Sequence, residues 1–174
     1  MNIRLSPKIE AFLGADEVTL AALKSEAIEV EFCELQPPEF GFYAWHPETN
    51  PVIGLAHRLK FDRVLLRSVL WEGLGFHATV PDPLRPTPFV LRCTMLRGAP
   101  EPLENAALRW AATRLISRDE IRWWLRTEGR TLGHTLGRTI DDFARTFKVT
   151  PEIARERLLS LQPFLPDLWQ ELHV

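Results

Sequence analysis

The chain has 174 residues, of which 45% are hydrophobic and 25% are charged, values typical of a soluble globular protein. This length accommodates one domain with a true hydrophobic core and a small appendage. The net charge of −2 gives no overall attraction to nucleic acid or to anionic membranes.

The sequence shows no targeting segment and contains only two cysteines. No apolar run is long enough to span a bilayer, and the N-terminus lacks the apolar segment of a signal peptide. Cys33 and Cys93 are isolated from each other and neither belongs to a CxxC pair, so we expect neither a disulfide framework nor a cysteine zinc site. These features predict a cytoplasmic protein.

The first third of the chain predicts a helical segment followed by a small sheet. Residues 6–25 have helical periodicity, with Asp16 as a cap for the second part. Residues 27–35 alternate apolar and polar side chains, and residues 41–45 and 52–59 are two further strand candidates separated by short proline-containing breaks. Short connections between these strands predict a mainly antiparallel sheet.

Residues 62–79 predict an amphipathic helix with one unusual side chain. Leu65, Val69, Glu72 and Phe76 recur at spacings of three and four and therefore share one face. A carboxylate on a buried face costs several kcal/mol unless it is paired, bound to metal or protonated. Glu72 therefore either occupies such a site or points to solvent at a frayed helix end. The nearby pair Gly73 and Gly75 indicates either close approach of another element or the end of the helix.

The second half of the chain predicts mainly helices. After a proline-rich loop at 80–88, residues 89–96 are apolar, but their periodicity does not distinguish strand from helix. Helices are predicted at 101–115 and, with Ser117 as N-cap, at 118–127. Helices at 139–147 and 152–161, with Thr150 as a cap, form either a helix-turn-helix unit or a plain helical hairpin packed on the domain.

Three segments form an ordered set: LWEGLGFHAT (70–79), ENAALRWAATRLIS (104–117) and TIDDFARTFKVTPEIARERL (139–158). Together they resemble the ImmA/IrrE group of cytoplasmic and phage-associated zinc metallopeptidases. The segment LWEGLGFHAT (70–79) is similar to the helix that carries the group's HExxH-type motif, often HELGHH or EELGHH. The segment ENAALRWAATRLIS (104–117) resembles the helix that supplies a third ligand, and TIDDFARTFKVTPEIARERL (139–158) resembles the terminal segment. The resemblance covers residues 25–162.

What the resemblance implies is an α+β fold with two parts. The first, residues 1–128, is a metallopeptidase-like domain with a small, mainly antiparallel sheet. The second, residues 129–174, is a C-terminal, helix-turn-helix-like helical segment packed on the first.

The metal motif of the family is altered in this chain. In such sites two ligands at i and i+4 hold zinc, and a carboxylate beside the first activates the bound water. The resemblance places Glu72 at the first ligand and Glu104 at the third. Gly73 falls where the general base belongs and Phe76 where the second ligand, His, belongs, so the motif is degenerate at these two positions. His77 matches the residue that follows the motif.

Two functional hypotheses follow from the resemblance. The first is a pseudoenzyme without a bound cofactor that regulates a repressor, phage or stress response by binding a protein partner, for example a transcriptional repressor. The alternative is an active zinc metallopeptidase that cleaves a helix-turn-helix repressor through an atypical Glu72, His77 and Glu104 site. Because these two ligands on one helix are five residues apart, that site requires a π-bulge at Gly73 and Gly75.

A third hypothesis uses the 139–161 helix pair to bind DNA. The second of these helices has balanced charge and none of the aromatic, Asn or Gln side chains that read bases, so we expect no DNA binding.

Overall fold

The computed structural model describes residues 16–25, 28–93, 102–127 and 136–161, and the account below refers to these residues. The chain folds as an α+β protein, as predicted. The helices are α1 (Glu17–Ser25), α2 (Arg63–Thr79), α3 (Pro102–Leu115), α4 (Arg118–Thr127), α5 (Leu136–Phe147) and α6 (Pro151–Leu159). The strands are β1 (Glu29–Cys33), β2 (Gly41–Trp45), β3 (Val52–Ala56) and β4 (Phe89–Cys93).

The four described strands form one mixed sheet in the order β1-β3-β2-β4. β2 pairs antiparallel with both β3 and β4, whereas β1 pairs parallel with β3. The expectation of a mainly antiparallel sheet is therefore confirmed. The ambiguous apolar segment after the proline-rich loop is strand β4. The third predicted strand, at 52–59, is shorter than expected because the chain turns into a 3-10 helix at His57–Phe61.

Helix α2 is the centre of the fold. Asp62 caps it, since its carboxylate accepts a hydrogen bond from the backbone N–H of Leu65 at 2.9 Å. The helix packs on the sheet with one side and on α3 with another, and α1 covers it where the Trp71 indole N–H donates to the Thr19 hydroxyl at 2.8 Å. Because so many elements contact it, α2 is buried through its central part, at Leu66 and at residues 68–76.

The two glycines of α2 lie inside the helix, and they mark close approach rather than a helix end. A Cβ atom on Gly75 would lie 2.3 Å from the carbonyl oxygen of Ala107 in α3. A Cβ atom on Gly73 would lie 3.0 Å from the side chain of Ile53 in β3. Glycine at these two positions therefore lets α2 lie directly against the α3 backbone and against the sheet.

Local capping signals correctly predicted several helix ends. Asp16 caps α1 by accepting from the Thr19 backbone N–H at 3.2 Å. At α4, the Ser117 hydroxyl accepts from the Glu120 backbone N–H at 3.2 Å, and a Glu120 carboxylate oxygen accepts from the Ser117 N–H at 2.7 Å. This reciprocal pair is a capping box. Thr150 is the N-cap of α6, but its side chain makes no capping hydrogen bond.

The C-terminal helices pack against the rest of the fold. Helix α5 begins three residues earlier than predicted, at Leu136, and α6 ends at Leu159. α6 packs on α3, and the Arg157 guanidinium Nε donates to the Ile116 carbonyl at 2.9 Å. The predicted domain boundary near residue 128, the first part of the 6–25 helical segment and the C-terminal tail lie outside the described residues. None of the described helices combines the length and apolar character that a membrane crossing requires.

Candidate functional site

Glu72 lies in the interior, between the sheet and the helices that cover it. Only 1% of the residue is exposed, so the alternative that it points to solvent at a frayed end is wrong. Its Oε2 atom makes no hydrogen bond with any described residue. A buried polar atom without a partner costs about 1–3 kcal/mol, so this side chain is an energetic liability in the present arrangement.

The charge state of Glu72 follows from its surroundings. Burial, followed by the negative charge of Glu104 on α3, raises the pKa of Glu72 from 4.5 to about 8. The charge of Glu152 on α6 contributes to the same increase. Three carboxyl groups from three helices therefore lie close enough to influence one another, and Glu72 is mostly protonated at neutral pH.

The thiol of Cys93, at the end of β4, is the hydrogen-bonding partner of Glu72. The two side chains are hydrogen bonded, with the thiol donating to a carboxyl oxygen, and this bond partly offsets the increase in the pKa of Glu72. Burial and the neighbouring charge of Glu72 raise the pKa of the Cys93 thiol well above its ordinary value. Cys93 is fully buried and carries its proton at neutral pH, so it is not a reactive thiolate.

Phe76 and His77 occupy different environments at the C-terminal end of α2. Phe76 is among the largest fully buried side chains, 1% exposed, and lies four residues after Glu72 on the same helical face. His77 is partly exposed, and its Nδ1 atom lies 3.0 Å from the hydroxyl of Tyr43 on β2. The carbonyl of His77 accepts a hydrogen bond from the Arg85 guanidinium at 2.9 Å. His77 therefore belongs to an aromatic cluster beside the sheet.

The structure brings Glu72 and Glu104 together but does not add His77 to them as a metal ligand. α2 is α-helical throughout Arg63–Thr79 and contains no π-bulge at Gly73 and Gly75. In a regular α-helix, residues five apart diverge by about 140° around the axis. No group of three or more His, Cys, Asp or Glu side chains among the described residues is arranged to hold a metal ion. At the i+4 position from Glu72, where a second ligand of an HExxH-type site would lie, the side chain is the buried apolar ring of Phe76.

Two members of this cluster were not predicted as site residues. Cys93 is an isolated cysteine in an apolar segment, and Glu152 lies in the first turn of a helix, where an acidic residue is expected for helix-dipole reasons alone. Neither position carries a local signal that indicates contact with α2. Their proximity to Glu72 depends on how β4 and α6 pack, which is tertiary information.

Comparisons with known proteins add no relative to this description. No family model, no curated protein and no solved structure matches the chain.

Proposed function

We propose that the chain is a catalytically degenerate, ImmA/IrrE-like protein that acts in the cytoplasm by binding another protein. Its resemblance to metallopeptidases rests on the sequence motifs of α2, α3 and the C-terminal segment. Support from the fold comes from the direct contact of α2 with α3, which brings the carboxylates at the first and third ligand positions, Glu72 and Glu104, near each other. Regulation of a repressor, phage or stress response is the role that this resemblance implies.

The observation that carries the proposal is the burial of Phe76 at the second ligand position. A phenyl ring there fills the volume that an imidazole, a metal ion and a water molecule would need. Gly73, at the general-base position, has the Ile53 side chain within 3.0 Å of where a Cβ atom would lie. A packed interior with a protonated Glu72 is therefore the stable state, and among the described residues it leaves no space beside Glu72 for a metal-bound water.

A protein partner fits the described surface better than DNA does. Helix α6, the second helix of the helix-turn-helix-like pair, buries Ile153, Ala154 and Leu158. Its Arg157 is committed to the Ile116 carbonyl, which leaves Arg155 as its exposed cation among the described residues. A helix held in this way presents few groups to a DNA groove, and the C-terminal pair is better explained as a packed helical hairpin.

The test is to restore the missing ligand. Phe76→His places an imidazole four residues after Glu72, on the same helical face. We expect the unmodified protein to contain no stoichiometric zinc and its melting temperature to be unchanged by zinc. We expect Phe76→His to gain zinc-dependent stability of ~3 kcal/mol at a free zinc concentration one hundred times its Kd.

Two control variants separate metal binding from disrupted packing. Phe76→Asn disturbs the same packing without supplying an imidazole, and the double variant Glu72→Ala with Phe76→His removes the first ligand. Neither control should respond to zinc. The proposal fails if the unmodified protein binds stoichiometric zinc and cleaves a helix-turn-helix repressor, with both properties lost in Glu72→Ala.

A further inference from the structure

Acidic side chains gather where α6 packs on α2 and α3. Glu152 and Glu156 are four residues apart on α6 and therefore share one of its faces. At the start of α6, the backbone N–H of Thr150 donates to the hydroxyl of Ser68 in α2 at 3.1 Å, one helical turn before Glu72. This contact holds the first turn of α6 beside α2, which explains why the charge of Glu152 reaches Glu72.

Helix α3 adds a further carboxyl group and a cation to this region. Glu104, in the first turn of α3, also acts on Glu72 through its negative charge. Farther along α3, the guanidinium Nε of Arg109 lies 3.6 Å from Oε2 of Glu156. Apart from the protonated Glu72, the region therefore contains the carboxyl groups of Glu104, Glu152 and Glu156, and Arg109 is the cation that pairs with one of them.

The hydrogen bonding of these carboxyl groups is incomplete. The Oε2 atoms of Glu72, Glu152 and Glu156 are all buried, and none of them makes a hydrogen bond with a described residue. Glu156 is only 8% exposed, and its ion pair with Arg109 at 3.6 Å is longer than a hydrogen bond. Buried acceptors without donors are costly, so several of them in one region indicate a place for a cation that carries hydrogen-bond donors.

We propose that Glu104, Glu152 and Glu156, called here the acidic seam, receive an arginine side chain from a basic segment of a partner protein. A guanidinium group has five N–H donors in a planar fork and can reach several carboxylate oxygens at once. The seam reaches the surface, because Glu104 and Glu152 are each partly exposed. This inference rests on the proposed function, since it names the chemistry by which the partner is recognised. A DNA-binding repressor carries cations of this kind on the surface that contacts phosphates.

A metal ion fits the acidic seam less well than an arginine does. A divalent cation needs ligands that converge on one point within about 2.0–2.6 Å. Among the described residues, no three His, Cys, Asp or Glu side chains converge in this way. The carboxyl groups of the seam are instead distributed over two helices, and this arrangement suits a guanidinium group with several separated donors.

The experiment measures, by fluorescence anisotropy with the full chain, binding of a fluorescein-labelled peptide of alternating Arg and Ala residues. The same peptide with citrulline in place of Arg keeps the shape without the charge and should not bind. We expect the double variant Glu104→Gln with Glu152→Gln to weaken binding of the Arg peptide at least about tenfold. Glu29→Gln with Glu31→Gln is the matched control, because it removes the same charge from two exposed side chains of β1, and it should change binding little.

A second variant tests the opposite direction. Arg109→Gln removes the cation that competes for Glu156, so we expect it to strengthen binding of the Arg peptide by about two- to fivefold. Arg122→Gln is its control, because Arg122 also forms an ion pair, with Asp119 at 3.1 Å, and its side chain is similarly exposed. The control changes the net charge equally but lies on α4, and we expect a smaller effect from it.

Each outcome decides the proposal. No saturable binding, equal binding of the citrulline peptide, or equal effects of the seam and control variants overturn it. If Mg²⁺ or Ca²⁺ displaces the peptide and raises the melting temperature, and Glu104→Gln with Glu152→Gln abolishes that rise, the seam is a metal site and the proposal is overturned. Circular dichroism of each variant excludes unfolding as the cause of a loss. Failure here leaves the zinc titrations of Phe76→His unaffected, so the two proposals fail separately.

Discussion

Replacing Glu72 with Gln should change how the stability of the protein depends on pH. The folded state holds the proton of Glu72 up to about pH 8, whereas the unfolded chain releases it near its ordinary value of 4.5. Because the folded state binds more protons between these two values, the free energy of unfolding falls as the pH rises through this window. Below the window both states are protonated, and above it both are ionised, so the loss is then constant.

The size of the effect follows from the same two pKa values. At 1.36 kcal/mol per pKa unit, the buried carboxyl group of Glu72 lowers stability by ~3 kcal/mol at pH 7 and by ~5 kcal/mol above pH 9, relative to pH 4. Glutamine has nearly the same shape and no proton to release. We therefore expect the free energy of unfolding of Glu72→Gln to rise, relative to that of the unmodified protein, by ~1.4 kcal/mol for each pH unit inside the window.

Urea denaturation followed by circular dichroism, from about pH 5 to about pH 9, measures this difference directly, because the ionisations common to both proteins largely cancel. Glu48→Gln is the matched control, since it makes the same substitution at an exposed side chain. A constant difference between Glu72→Gln and the unmodified protein across this range would refute the account of Glu72 as a buried, protonated acid.

Two further predictions concern packing and capping. Gly75→Ala should destabilise the protein by ~2 kcal/mol in urea denaturation, because its Cβ atom would meet the Ala107 carbonyl oxygen at 2.3 Å. Gly73→Ala should cost less, because its contact with the Ile53 side chain at 3.0 Å is less severe and alanine favours the helix. Equal effects of the two changes would contradict the close approach of α2 and α3. Ser117→Ala should cost ~1 kcal/mol in the same measurement by removing the cap of α4, and no loss would show that the capping box contributes nothing to stability.

Much of the secondary structure could be predicted from the sequence because its determinants are local. The Asp62 cap and the apolar stripe of α2 lie within one continuous segment, and so do the Ser117 signal and α4. The pairing of strands could be predicted only in part. The parallel alignment of β1 with β3 joins segments that are not consecutive strands, and no turn between them sets its register.

For the site, too, local features could be predicted from the sequence, whereas features that depend on tertiary packing could not. The apolar stripe around Glu72 indicated an inward position, which its 1% exposure confirms. The glycine pair was compatible with either a π-bulge or close packing, and only the position of the α3 backbone distinguishes them. The contribution of Glu152 depends on the placement of α6, more than seventy residues away along the chain, for which the sequence around Glu72 contains no information.

The burial of Phe76 and the protonation of Glu72 are linked, because both concern how the fold tolerates a carboxyl group at a buried position. Packing α2 against α3 brings the partly exposed Glu104 near the buried Glu72, where an ionised Glu72 would be both desolvated and repelled. A metallopeptidase neutralises such a pair with a cation, which needs an imidazole and space for water beside the metal. In the proposed degenerate site Phe76 takes that space, and the burial of Glu72 raises the pKa that keeps it neutral. In the proposed degenerate site, the same phenyl ring occupies the second ligand position, and a protonated Glu72 needs no metal ion to neutralise it.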